Sequence, residues 1–144
     1  MEVVATANEA KLLFNAESKV LVMRFEGDMP DDVYKGFWTE AIDYAAENQI
    51  NRIIIDQQNI GNVSFNARGW VVISGFPRVK KVLPASLAAG ILSSKKVVQK
   101  TGMQYLLKAF KTITGYKVEL FPTEEEALAF LENANELIEI EAAA

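Results

Sequence analysis

The chain has 144 residues, half of them apolar, with 15 basic and 19 acidic side chains and neither histidine nor cysteine. That length suits one domain with one sizeable core. The missing residue types remove the commonest general base, thiol and disulfide chemistry, and ordinary zinc or copper sites, so no cofactor or metal is expected.

Charge is segregated along the chain. Ten of the 15 basic residues lie between Gln57 and Val118, where no acidic residue occurs, so this segment carries +10 against −14 elsewhere. Segregated charge sets what a surface attracts. If the segment folds onto one face, that face suits an acidic protein partner or an anionic lipid. If the acidic flanks fold back, they neutralise it. No basic leader opens the chain and no apolar run is long enough to span a bilayer, so a cytoplasmic protein is expected. Ala142 to Ala144 read as a cloning remnant, leaving residues 1–141 as the single domain.

Lys11 to Asn15 and Val20 to Phe25 are apolar runs joined by Ala16-Glu17-Ser18, which predicts a β-hairpin. Gly27-Asp28-Met29-Pro30 breaks the second strand. Asp31 and Asp32 suit a helix start, and Val33, Phe37, Ala41 and Ala45, flanked by Tyr34, Trp38 and Ile42, predict an amphipathic helix over 31–48. Asp28, Asp31 and Asp32 lack calcium-loop spacing. Ile50 to Asp56 contains three consecutive isoleucines, as a strand buried on both faces would. A polar stretch, Gln57 to Asn62, is expected to be a loop.

A second helix begins near Ser64 to Ala67 and runs towards Ile73, with Trp70 and Ile73 spaced for its buried side. Gly75, Phe76-Pro77 and Pro84 interrupt the stretch beyond Ile73. Ser86 to Leu92 reads as a buried strand. Met103, Leu106, Leu107, Phe110 and Ile113 form one helical stripe with Lys100, Lys108 and Lys111 on its flank, and Gly115 is its stop. Lys117 to Phe121 is a strand. Thr123 and Glu126 match a capping box for a last helix that turns Ala127, Phe130 and Leu131 inward. The order β-β-α-β-α-β-α-β-α predicts an α/β domain with a mixed, mostly parallel sheet covered by helices.

Ser93 to Lys96 and Lys100-Thr101-Gly102 match two short motifs of penicillin-recognising enzymes, but they nearly adjoin and the third motif is absent, so both are chance. Asp56 is the best single site residue, because it ends a buried strand where open α/β sheets gather ligands. Capping the following backbone is the simpler role for it. Arg68, Trp70, Phe76, Arg78, Lys80 and Lys81 interleave aromatic and basic side chains and form the candidate partner or ligand surface. Net negative charge and the absence of a nucleic-acid motif disfavour nucleic acid.

Ile53-Ile54-Ile55-Asp56 and the run from Phe121-Pro122-Thr123 through Glu124-Glu125-Glu126 to Ala127-Leu128-Ala129-Phe130-Leu131 add to this order. Together they resemble the STAS domains, and among them the SpoIIAA-like (STAS/Sec14-like) proteins, over about Lys11 to Leu137. In related anti-sigma-factor antagonists a serine within Asp-Ser-Ser-Gly at the second helix start is phosphorylated. The matching place here keeps Gly69 but carries Asn66, Ala67 and Arg68, with Ser64 off register, so the resemblance does not imply that switch. It implies a non-catalytic binding or regulatory module acting through protein contacts, with a homodimer as one form. The alternative is a carrier or sensor of a lipid or other apolar anion, its pocket among Trp38, Trp70, Phe76 and Phe110, with lysines for the headgroup. An enzyme would need an acid/base pair that the sequence does not assemble.

Overall fold

The structure is a computed structural model that describes residues 1–92 and 97–143, with side chains described for 1–92 and 104–134. Ser93 to Lys96, the side chains of Lys100 to Met103, and Ala144 lie outside the described residues.

The chain opens with a strand absent from the expected order. β1 (Glu2–Ala7) pairs antiparallel with β2 (Ala10–Asn15) through a turn that holds Asn8 at φ 55°. Its small, weakly alternating side chains give little strand signal, and as an edge strand it is only partly buried. The predicted hairpin comes next: β2 pairs antiparallel with β3 (Val20–Gly27), Asn15 opposite Val20. Its turn has no Asn-Gly. Instead the Asn15 side chain accepts the backbone N–H groups of Glu17 (3.0 Å) and Ser18 (3.2 Å), and Lys19 takes φ 57°.

From β3 onward the sheet is parallel. α1 (Asp31–Glu47) leads to β4 (Arg52–Ile60), and α2 (Phe65–Trp70), a π-helical turn (Val71–Gly75) and α3 (Phe76–Val82) lead to β5 (Ala88–Leu92). α4 (Val97–Thr114) leads to β6 (Lys117–Phe121), and α5 (Glu124–Ala143) closes the order. The strands lie in sequential order, β1-β2-β3-β4-β5-β6. Crossovers of one hand between successive neighbours put every connecting helix on the same face. α1, α2–α3 and α4 accordingly share one core with Leu12, Leu21, Phe25, Ile53, Ile55 and Ile91. The alternate residues Leu13, Val22, Ile54 and Leu92 point to the other face, where Ala127 and Leu131 of α5 meet them.

Several local expectations hold in detail. Asp31 and Asp32 occupy the first turn of α1, whose Tyr34, Phe37, Trp38, Ala41, Ile42 and Ala45 are buried. Gly115 comes directly after α4 at φ 72° and donates its N–H to Lys111 O, as a helix stop does. Thr123 Oγ1 accepts the Glu126 N–H at 3.3 Å, which starts α5. One boundary differs. Gln57 to Ile60 continues β4 rather than forming a loop, because β3 keeps pairing across a bulge: Arg24 faces Asp56, but Glu26 faces Asn59. The extra residue on β4 bends it at its carboxyl end.

Candidate interaction surface

α2, the π turn and α3 form one continuous helix, with right-handed helical backbone at Trp70, Val71, Gly75 and Phe76. Ser64 starts it: its hydroxyl accepts the Ala67 N–H (3.0 Å) and donates to Asp31 Oδ1 (2.6 Å), which ties the helix to the amino end of α1. Pro77 does not end it. A proline in an α-turn would crowd the carbonyl four residues back, here Ile73. The wider turn just before it, where Phe76 donates to Val71 O, gives the ring room.

That turn also rotates the helix. One extra residue brings Phe76 back to the side of Val71, while Ile73, expected in the core, lies half a turn from buried Val71, points outward and is 77% exposed. Phe65, in the first turn, is 81% exposed. These are the two most exposed large apolar side chains among the described residues. They stand on one stripe with Gly69 midway, where a Cβ would meet nothing within 4 Å. The sequence showed both residues but not their direction, which is set by the phase of the buried positions Ala67 and Val71.

The six residues named from sequence separate into two groups. Phe76 (1% exposed) and Arg68 (7%) lie inside, Phe76 because the π turn swings it under α3. Trp70 is half-buried against the core, with Lys35 Nζ 5.9 Å from its ring centre. Arg78, Lys80 and Lys81 are exposed on α3. Arg78 pairs with Asp43 of α1, and Lys111 of α4 with Glu119 at 3.6 Å, so the acidic flanks reach back at two points. Lys80, Lys81, Lys108 and Lys117 are exposed and make no ion pair among the described residues.

Tyr34 Oη, Trp38 Nε1 and Gln57 Oε1 are buried and have no completed hydrogen bond among the described residues. Burial pushes the Tyr34 hydroxyl up to about 12, while the approaching Trp38 N–H and the Arg68 charge pull the other way. The expected apolar pocket is closed by its own rings. Trp38 packs on Phe76 at 5.8 Å and Phe76 on Phe110 at 5.0 Å. Cavities of about 20 and about 10 Å³ remain beside them, and Trp70 lines neither. Such volumes admit about one water each.

Asp56 does cap the backbone beyond it, accepting the Gln58 N–H at 3.1 Å in the bulge. It also meets a partner the sequence kept distant. Arg24 Nε lies 3.2 Å from Asp56 Oδ2, and Arg24 Nη2 lies 3.3 Å from Glu124 Oε1. The arginine thus ties β3, β4 and the start of α5 together. Asp28, Asp31 and Asp32 do not assemble a metal site, and no group of three or more acidic side chains among the described residues could hold an ion. No described helix is long and apolar enough to cross a membrane.

No protein-family model matches this chain, and no curated protein does. A solved structure does. An uncharacterised protein of the DUF3478 family from Shewanella loihica PV-4, described as having a SpoIIAA-like fold, superposes with a TM-score of 0.58. The match covers 85% of this chain and 91% of that one at 14% identity. At that identity the likeness establishes the fold, and the fold is SpoIIAA-like.

Proposed function

We propose that this SpoIIAA-like domain is a non-catalytic regulatory module that works through protein contacts on the outer face of the α2–α3 helix. The observation that carries this reading is the exposure of Phe65 and Ile73 on one stripe of that helix. A fold places apolar side chains outward singly without consequence, but two large ones framing a glycine make a ridge a partner can straddle. Burying such a side chain contributes about 1.5–3 kcal/mol. Two of them roughly match the lower end of the cost of association, about 4 kcal/mol. The ridge therefore suits a reversible contact, with Lys80 and Lys81 steering an acidic surface towards it.

A photo-crosslinking amino acid at position 73 tests this. Protein adducts are expected from position 73 in host extract, and not from a matched probe at Glu132 on α5. Neutralising Arg78, Lys80 and Lys81 together should reduce them most at low salt. Equal adducts from both positions, or none from 73, sink the reading.

One observation favours a second reading, a carrier of an apolar anion: three buried polar atoms, Tyr34 Oη, Trp38 Nε1 and Gln57 Oε1, complete no hydrogen bond among the described residues, and the Arg68 charge acts on Tyr34. A carrier must part Trp38, Phe76 and Phe110, since the cavities beside them hold no acyl chain. Native mass spectrometry of gently purified protein tests it. A lipid-like mass released on denaturation supports the carrier, and its absence together with no salt-dependent binding to anionic vesicles removes it.

A further inference from the structure

Away from the ridge, where β3, β4 and β5 begin, two open clefts adjoin. One, about 380 Å³, is lined by Phe14 and Lys19 of the β2–β3 hairpin and by Asn48, Gln49, Ile50 and Asn51 beyond α1. The other, about 480 Å³, is lined by Val82, Leu83 and Pro84 at the end of α3 and by Ser86. Gln49 and Asn51 line both. Each volume falls in the usual range of small-ligand sites, about 300–1,000 Å³.

The backbone singles out the first cleft. Three non-glycine residues among those described have positive φ, and two of them line it: Lys19 at 57° and Gln49 at 52°. Neither is an asparagine or aspartate, the types that tolerate this region best. Gln49 ends α1 in a motif that ordinarily takes glycine, with Ile50 N–H donating to Ala45 O (2.9 Å) and Gln49 N–H to Ala46 O (3.4 Å). Gly115 fills such a left-handed place after α4. Lys19 sits in a hairpin turn, where a left-handed residue is again ordinarily glycine. The chain thus carries two polar side chains at backbone positions where glycine would be more stable, and both line one cleft. Strain of this kind gathers at ligand clamps.

The lining defines the chemistry. Lys19 supplies a positive charge, and no acidic side chain lines either cleft, although Glu17 and Glu47 lie nearby in the chain. Asn48, Gln49 and Asn51 supply amides, each able to donate to and accept from a peptide group. Phe14 and Ile50 supply apolar surface. Arg52 Nη1 braces the turn beneath Lys19 by donating to Ser18 O at 3.1 Å, and Asn51 Nδ2 donates to Ser86 Oγ at 2.9 Å. We propose that the cleft between Lys19 and Gln49 binds a carboxylate joined through an amide to an apolar group, as at the carboxyl end of a peptide or in a free N-acylated amino acid. Lys19 takes the carboxylate, Gln49 and Asn51 the amide, and Phe14 the apolar group. The adjoining cleft beyond Gln49 gives a peptide room for its preceding residues. This site is separate from the ridge and stands without it.

The test selects short random peptides, displayed with free carboxyl ends, on the full chain, and runs a pool of N-acetyl amino acids beside them. Binding is read from the side-chain amide signals of Asn48, Gln49 and Asn51 in heteronuclear NMR spectra. Selected peptides should shift those signals with dissociation constants on the order of tens of micromolar. Amidating their carboxyl ends should weaken them at least about tenfold, because a charge-assisted contact is lost. Gln49→Gly and Lys19→Gly should each weaken binding at least about tenfold while the melting temperature holds or rises, since glycine suits both backbone positions. N-acetyl amino acids that bind as tightly as peptides with the same last residue identify the small acid as the ligand. Peptides that bind more tightly, and also shift Ser86, identify a chain that continues into the second cleft. Failure of both probes to shift these amides overturns the proposal, as does equal binding of amidated peptides or binding indifferent to Gln49→Gly and Lys19→Gly.

Discussion

α1 and the α2–α3 helix are of similar length, lie side by side on one face of the sheet and carry similar shares of aromatic residues, yet they dispose of them in opposite ways. α1 turns Tyr34, Phe37 and Trp38 inward. The α2–α3 helix buries Phe76 and Val79 but presents Phe65 and Ile73 to solvent. The fold needs the first arrangement, because those rings fill the space between β3 and α3: Phe25 meets Phe37 edge-on at 5.0 Å, and Trp38 meets Phe76. It has no use for the second. Apolar surface that stability does not require is where a binding function can sit.

The sharpest test of that contrast is in α1. Trp38→Ala empties the junction of Phe25, Phe76 and the cavity beside Ile55, and should cost about 3–5 kcal/mol in urea unfolding. A loss below about 1 kcal/mol would mean that α1 is not the packed helix described here. The same helix predicts an alkaline weakness. Tyr34 is raised from 10.0 to about 12 in the folded chain. Between those values the unfolded state releases the Tyr34 proton while the folded state keeps it, so stability falls as pH rises, by about 1.4 kcal/mol per pH unit from this group. Below pH 10 its contribution is constant. Tyr34→Phe should flatten that part of the stability–pH curve, and an unchanged slope would place the weakness elsewhere.

The same divide separates the parts of the molecule that are legible in the sequence from those that are not. α1 is legible because its stripe keeps one period from Val33 to Ala45 and its start carries Asp31 and Asp32. β5, β6 and the Thr123 cap are legible for the same reason: local signals agree with tertiary structure. The α2–α3 helix is not, because Gly75 and Pro77 look like breaks and the π turn that accommodates them leaves no local mark. β1 escapes notice for want of large side chains. Asp56 stands out, but Arg24 and Glu124, 32 residues before and 68 after it, join it only through strand register and the entry of α5. Charge segregation is visible, while the return of Asp43 to Arg78 is not, since it needs α1 and α3 side by side.

Both helices contain a glycine with open space around it, Gly36 in α1 and Gly69 in α2, which gives a matched pair. Each replaced by alanine should gain about 0.5–1 kcal/mol, because alanine loses less backbone freedom on forming a helix and meets no neighbour. The two should then part company. Gly36→Ala leaves the ridge untouched, whereas Gly69→Ala thickens it at its centre and should weaken contact there while the melting temperature rises. If both variants bind alike, Gly69 is not in the contact and the ridge is engaged elsewhere along its length.

The smallest expected effect on stability is the most informative about function. Phe65→Ser and Ile73→Ser remove side chains that are 81% and 77% exposed, so little buried area is lost and thermal unfolding should change by less than about 0.5 kcal/mol. In a helix that served only to cover the sheet, those substitutions would be silent in every assay. In a contact surface they separate two quantities that move together at Trp38: the chain stays folded while crosslinking through the ridge falls. A loss of several kcal/mol from either substitution would mean that Phe65 or Ile73 is packed rather than displayed. The contrast between the two helices would then be one of period alone, with no functional content.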